Sequence, residues 1–400
     1  PTIMRTRTLL LCVAALALPA TAQWTAIQTG TTAELTAVLV EDGLHAFIGG
    51  VNGTLLRTAD GGTTWTAMNG VPNDDVNDLV RTAAGSLVIA GDDGAVYRST
   101  DDGATWSTHA TGAPDGFEAL ATVGPMLTAV GRDGLVARSE DDGVTWTVQN
   151  AGTLARLHGV LADQVDHVWI AGRDGTLRRT TDAGANWSAV PIGTGEDLND
   201  LLRLPINSAV MLAPLVTGDV LRSADGGATW AVMATGTALE MGALACAHDS
   251  AVYLCGENGV VLVSTDEGLT WQAMSTPVNS ALEAADARDG LAIAVGVNGT
   301  AIMLGAGGSI GLEDRPDTGG LLVFPDPSPG PVTLAWEGRP FAGVAELSLF
   351  LNDGRLVQRT LWESPHRTAR IAELPPGRYI ARVADRQGTV VQQGFTVLAR

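Results

Sequence analysis

Six aspartates occupy one position of a recurring octapeptide, and carboxylates so regularly placed are the first candidates for chemistry. They are Asp60, Asp101, Asp141, Asp182, Asp225 and Asp266. A tryptophan follows each one five residues later: Trp65, Trp106, Trp146, Trp187, Trp230 and Trp271. Thr58-Ala-Asp-Gly-Gly-Thr-Thr-Trp65 thus returns as Ser99-Thr-Asp-Asp-Gly-Ala-Thr-Trp106 and four times more. In such a segment the carboxylate can accept backbone N–H bonds across a turn, the glycine takes the strained position and the indole covers the hairpin base. Being repeated, these carboxylates read as scaffold rather than as catalytic acids.

The positions that differ between repeats are the better candidates. Aligned on the tryptophans, the position leading into each first strand holds Thr36, Asn77, Glu118, His158, Asn199, Gly242 and Glu283, and the next one adds Asp78 and Asp200. Asn77, Asp78, Glu118, His158, Asn199, Asp200 and Glu283 would place carboxylates, amides and one imidazole around a channel mouth. Such a set could bind a cation, a sugar or a basic peptide; equally, it could serve as solvated loop ends and bonds between repeats. No His/Cys/Asp spacing fits zinc and no EF-hand pattern occurs, so neither a metal nor a cofactor is expected.

The elements that must position these residues follow from the repeat. Successive tryptophans lie 41, 40, 41, 43 and 41 residues apart, and Trp24 precedes Trp65 by a further 41. Within a unit, apolar runs such as Leu35–Val40 and His45–Ile48 alternate with Gly-x-Asn/Asp-Gly turns that supply positive φ. Four short antiparallel strands per unit of this length are the pattern of a propeller blade. Six units end at Trp271, and a seventh, from Leu282 to Leu304, lacks its last turn and tryptophan. The segment around Trp24 resembles a lone fourth strand and should complete that blade, closing the ring without a free edge. The expectation is all-β: a seven-bladed propeller over 23–310, a linker over 311–320 and a small β-sandwich over 321–400.

Composition narrows the setting. Every one of the 24 basic residues is Arg, and the net charge is −20. Residues 1–22 carry Arg5 and Arg7, and from residue 311 onward Arg and Asp/Glu balance, so the middle of the chain holds the whole negative excess. Such a body disfavours nucleic acid and anionic lipid. Residues 1–22 read as a signal peptide: a positive start, an apolar run from Leu9 to Leu18, and Ala20-Thr21-Ala22 before Gln23. That run is too short to span a bilayer, and no other stretch does so. The mature chain is expected outside the cell as a monomer, with Cys246 and Cys255 as its two cysteines. They read as two strands around a turn near Ser250, which would set 246 opposite 255; a disulfide and two buried thiols both remain open.

The repeated turn resembles the Asp-box (BNR repeat) of propellers such as sialidases, sortilin-type receptors and the photosystem II assembly-factor-like group. The regular units over about 24–305 are most similar to the last. The sialidase resemblance would require an arginine cluster, a Tyr nucleophile with a Glu partner and an Asp acid. Only Tyr97 and Tyr253 lie in the propeller, and no Phe-Arg-Ile-Pro precedes the first turn. Arg57, Arg98, Arg138, Arg179 and Arg222 all fall at one repeat position, which makes a structural row rather than a substrate clamp. A surface binding module, for glycan or protein, is therefore expected, with a glycosidase-like carbohydrate-active enzyme as the alternative.

From residue 313 the repeat stops. Pro325-Asp-Pro327, Asp353-Gly-Arg355 and Leu374-Pro-Pro-Gly-Arg-Tyr379 follow in order. This segment resembles the C-terminal sorting domain of the type IX secretion system, with Asp326 where that family has Asn. The resemblance implies that the domain is an address read by the secretion machinery, which would then be its partner.

Overall fold

A computed structural model describes residues 23–304, apart from 72, 206, 247–250 and 289, together with seven strands between 320 and 397. The signal segment 1–22 lies outside the described residues, as does the linker up to 319; Gly320 already opens a strand. Contacts divide the chain into two units at 310/311.

The first unit holds seven four-stranded antiparallel sheets. Their inner strands are Leu35–Val40, Asp78–Arg81, Phe117–Val123, Leu157–Ala162, Leu202–Arg203, Met241–Cys246 and Leu282–Arg288, which number the blades 1 to 7. In blade 1, Leu35 lies opposite Gly50 and Val40 opposite Ala46, while Ala46 pairs on its other side with Thr58. That register places the start of the inner strand and the Gly-x-Asn-Gly turn on one face of the ring, and the aspartate turn on the other. The second strand of every blade, for example Ala46–Gly50 or Leu291–Gly296, is buried along its whole length. Neighbouring blades cover both of its sides, which is why these strands read as unbroken apolar runs rather than alternating ones.

The ring closes as the repeat requires. Blade 7 takes its fourth strand from the N-terminal side, with Thr25 opposite Met303 and Ala26 opposite Ile302. Trp24 is 1% exposed and meets Tyr253 edge-on, with ring centroids 5.6 Å apart. It sits in an apolar cluster of blade 6 and blade 7 residues that includes Cys255, Val263, Ala294 and Ile302. Six further clusters lie between the other neighbouring blades, and each takes one of the turn tryptophans: Trp65, Trp106, Trp146, Trp187, Trp230 and Trp271. An indole withdraws on the order of 200 Å² from water, about 5 kcal/mol at 25 cal/mol per Å².

The turn before each tryptophan is built alike six times. The Oδ1 of Asp101 accepts the Ser99 hydroxyl at 2.8 Å and the Thr105 N–H at 2.8 Å, and its Oδ2 accepts the Thr105 hydroxyl at 2.6 Å. The Gly103 N–H donates back to the Ser99 hydroxyl at 2.8 Å. Asp60, Asp141, Asp182, Asp225 and Asp266 repeat this pattern, with the Asn186 amide in place of a Thr hydroxyl in blade 4. The arginine row crosses the gaps between blades. Arg57 pairs with Asp102, Arg98 with Asp142 and Arg222 with Glu267, and Arg138 donates to the Val165 carbonyl; Arg179 instead stacks on Trp169 of its own blade.

The cysteine pairing expected from the sequence is corrected by the register. Cys246 lies opposite Val252 and Cys255 opposite Ala243. An offset of three between the cysteine positions puts the two side chains on opposite faces of the sheet, because strand side chains alternate. The two cysteines form no disulfide with each other. Burial raises the Cys255 thiol to about 12, so it stays protonated at neutral pH.

In the second unit, Gly320–Phe324, Val332–Glu337 and Thr368–Ile371 form one sheet, in that order. Leu356–Glu363, Val344–Leu351, Gly377–Ala384 and Val390–Val397 form the other. Leu347 and Leu349 are buried.

Two adjacent glycines separate backbone from packing. Gly226 and Gly227 have φ of +72° and +87°; an added Cβ meets nothing within 4 Å at Gly226, but would lie 2.3 Å from the Trp169 ring at Gly227. Gly226→Ala should cost about 1–2 kcal/mol, the left-handed penalty alone. Gly227→Ala should add about 1–3 kcal/mol of overpacking. Chemical denaturation measures both, and equal losses would contradict this account of the turn.

Candidate functional site

The channel mouth is where the inner strands begin, and there the structure sorts the candidates into two kinds. The first kind is consumed by the ring. The Thr36 hydroxyl donates to the Val76 carbonyl at 2.7 Å, and the Asn77 amide to the Phe117 carbonyl at 2.8 Å. The Asn199 amide donates to the Met241 carbonyl and to Glu240, both at 3.1 Å. Each bond runs from one inner strand to the next blade's inner strand, satisfying a carbonyl that the sheet leaves open.

The two candidate aspartates do the same with N–H groups. Asp78 accepts from Leu79 at 2.7 Å and, across the gap, from Leu120 at 2.7 Å. Asp200 accepts from Leu201 at 2.6 Å and from Leu244 at 2.9 Å. A third member escaped the alignment: Asp286 accepts from Ala287 at 2.8 Å and from Val40 of blade 1 at 2.7 Å. It stands two residues further from its tryptophan than Asp78 does. The usable signal was a second carboxylate, three residues after Glu283, inside the inner strand Leu282–Arg288. Enclosure in the channel raises all three carboxyls, Asp78 to about 7, and the other two carboxylates push Asp78 further.

The second kind makes no bond to a neighbouring blade's backbone. Glu118 accepts from Arg156 at 2.7 Å and lies 3.4 Å from Arg132, which also pairs with Asp92 and Asp115. His158 lies beside this group with no hydrogen bond among the described residues. Burial lowers its pKa, and the Arg156 charge lowers it further, so the imidazole is neutral at pH 7. Across the mouth, Glu283 faces Glu34, Glu240 and Glu257. Its carboxyl is raised by partial enclosure and then by those three charges. None of the four has an ion-pair partner among the described residues. The mouth therefore has one sector of paired Arg and Asp/Glu on blades 2 to 4, and one unbalanced acidic sector on blades 6, 7 and 1.

Two other places are scaffold. A groove of about 530 Å³ beside the first turn is lined by Arg57, Thr58, Asp60, Thr64, Thr66 and Met68. Its polar walls are already bonded within the turn or, through Arg57, to Asp102. Tyr97 donates to Asp74 at 2.7 Å and is pushed well above its ordinary value by burial and that carboxylate, the reverse of an activated nucleophile. No group of three His, Cys, Asp or Glu able to hold a metal occurs among the described residues. No helix among them is long and apolar enough to cross a membrane.

Comparison with known proteins agrees on the architecture. The family model of the DUF6242 beta propeller domain matches residues 19–157. The structure of YCF48 bound to D1 peptide is 21% identical, with a TM-score of 0.61, over 72% of this chain and 98% of that one. YCF48 from Cyanidioschyzon merolae is 16% identical, also with a TM-score of 0.61, over 72% and 100% of the two chains. The extracellular domain of BT4673 from B. thetaiotaomicron is 12% identical, with a TM-score of 0.54, over 94% and 58%. Among curated proteins none matches this sequence. Identities this low establish the seven-bladed fold and leave the chemistry to this chain's own residues.

The two sets of aspartates have opposite effects on stability. In the turns, hydroxyl and backbone donors hold Asp101 and Asp225 at about 2, so they stabilise above 3.8 and lose that contribution as pH falls toward 2. In the channel, the folded Asp78 keeps its proton up to about 7 while the unfolded one releases it near 3.8. Across that interval the folded state binds the extra proton, so stability falls as pH rises. Melting temperature should therefore peak at about pH 4–5 and decline toward pH 8. A scan that rises to a maximum at pH 7–8 would refute this balance.

Proposed function

We propose that this chain is an exported binding module whose channel mouth takes a cationic segment of a partner protein at the cell surface. The observation that carries the reading is the unbalanced acidic sector of Glu34, Glu240, Glu257 and Glu283 on the face where the blades differ. Enclosure and mutual repulsion already raise Glu283, and a bound cation would relieve that repulsion. The negative excess of the propeller would also steer a basic partner toward it. A solved propeller of this fold is bound to a peptide, which supports a peptide as the class of ligand. The regular blades, with Asp-box-like turns used as scaffold, add no insertion that would supply catalytic groups.

A peptide and glycan array probed with the mature chain tests this directly. Arg/Lys-rich peptides should be retained, with affinity falling steeply as salt rises. Glu240→Gln with Glu283→Gln should weaken retention at least several-fold without lowering the melting temperature. Retention of neutral glycans only, unchanged in the double variant, would shift the assignment to the carbohydrate alternative.

The route outward is part of the same proposal. Residues 1–22 would direct export, and the module from 321 would be read by the type IX secretion machinery. The ordered Pro-Asp-Pro, Asp-Gly-Arg and Leu-Pro-Pro-Gly-Arg-Tyr segments support this, as do two sheets of short strands over the same span. Truncation after residue 310 should leave a folded propeller in the periplasm of a host with that system, while the full chain reaches the surface. Surface delivery of the truncated chain would remove the sorting role.

A further inference from the structure

We propose that Gln23 is a modification site: once exposed as the N-terminal residue it cyclises to pyroglutamate, leaving a mature protein without a primary amine. The inference rests on the reading of residues 1–22 as a cleaved signal, in which Ala20-Thr21-Ala22 precedes Gln23. Cleavage there makes the glutamine amine the terminus. Gln23 is exposed and has no hydrogen bond or ion pair among the described residues, so its side chain is free to fold back on that amine. The α-amino nitrogen attacks the side-chain Cδ and forms a lactam N–C bond. The Cδ–Nε2 bond breaks, and the amide nitrogen leaves as ammonia, carrying a proton from the amine. No oxidant, reductant or further reactant is needed.

Two observations give this step consequence. The sequence has no lysine, since every residue of its basic complement is Arg; the α-amine is then the single primary amine that residues 23–400 carry. The residues next to it are the latch of the ring. Trp24 fills the cluster between blades 6 and 7, and Thr25 and Ala26 supply the fourth strand of blade 7. An exopeptidase that removed Gln23 and Trp24 would strip the wedge from the junction of blades 6 and 7, next to the strand pair that closes the ring. A lactam offers no free amine for it to recognise, so cyclisation would shield the latch. It also removes a positive charge from beside a buried indole.

The test is mass spectrometry of the mature chain purified from the envelope or medium of a secreting host. The tryptic peptide Gln23–Arg57 should be one ammonia lighter than its sequence demands. An amine-reactive ester should leave the native and the unfolded protein unlabelled. A Gln23→Ser variant, which keeps the amine, should take a single label and, after aminopeptidase digestion, lose Trp24 and melt at a lower temperature. A chain that begins at Gln23 with a free, labelled amine overturns the modification while leaving the export reading intact. A chain that begins elsewhere overturns the cleavage assignment and the modification with it. Equal trimming of native and Gln23→Ser protein overturns the protective role.

Discussion

The structure depends on the seven apolar junctions between blades. No blade has a core of its own: each second strand is buried on both sides, but one side belongs to each neighbour. Six junctions are then wedged by an indole carried on the turn that ends the third strand, and the seventh by Trp24. The turn's glycine, with φ near +80°, lets the backbone approach the preceding blade so closely that at Gly227 a methyl group would strike Trp169. Because each junction needs two blades, a ring broken at any point exposes two apolar faces. This explains why the chain completes blade 7 with a strand from its opposite end.

The same constraint decides what the polar groups can do. Inner strands splay around the channel and leave N–H and C=O groups that no sheet partner reaches. Thr36, Asn77 and Asn199 serve the carbonyls, while Asp78, Asp200 and Asp286 serve the N–H groups of the next blade. A carboxylate suits the second task because it accepts two such bonds at once, one local and one across the gap. Its cost is desolvation, which is why these three carboxyls are raised while the solvated turn aspartates are lowered. One residue type thus fills both roles in this fold, and its surroundings set the sign.

Much of this was legible in the residues. The spacing of Trp65 to Trp271 specifies the blades, and Trp24 at the same interval specifies the closure. Both rest on strong, repeated signals that local chemistry enforces. What failed was finer register. The pairing of Cys246 with Cys255 assumed a turn centre that the ladder places elsewhere, and in a strand a wrong centre flips a side chain to the other face. Asp286 escaped because alignment on the tryptophans assumes equal spacing, while blade 7 carries its carboxylate two residues later. The division of the mouth into tied and untied residues was also beyond the sequence, since Asn77 and His158 occupy equivalent positions and differ only in what the next blade offers them.

That division gives the variable positions their meaning. Where a blade places Asn or Thr at the mouth, the side chain is the shortest that reaches the neighbouring carbonyl, and the residue is accounted for by closure. Glu118, His158 and Glu283 cannot be explained in this way. Glu118 is engaged by arginines of its own and the following blade, so it organises a local, ion-paired network. Glu283 has no such compensation, and Glu34, Glu240 and Glu257 add to its burden rather than relieving it. Ring closure would be served better by an amide at that position. A fold that ties most of its mouth with neutral donors, yet gathers uncompensated carboxylates in one sector, carries that repulsion for a reason outside its own stability. The proposed cationic partner would relieve it.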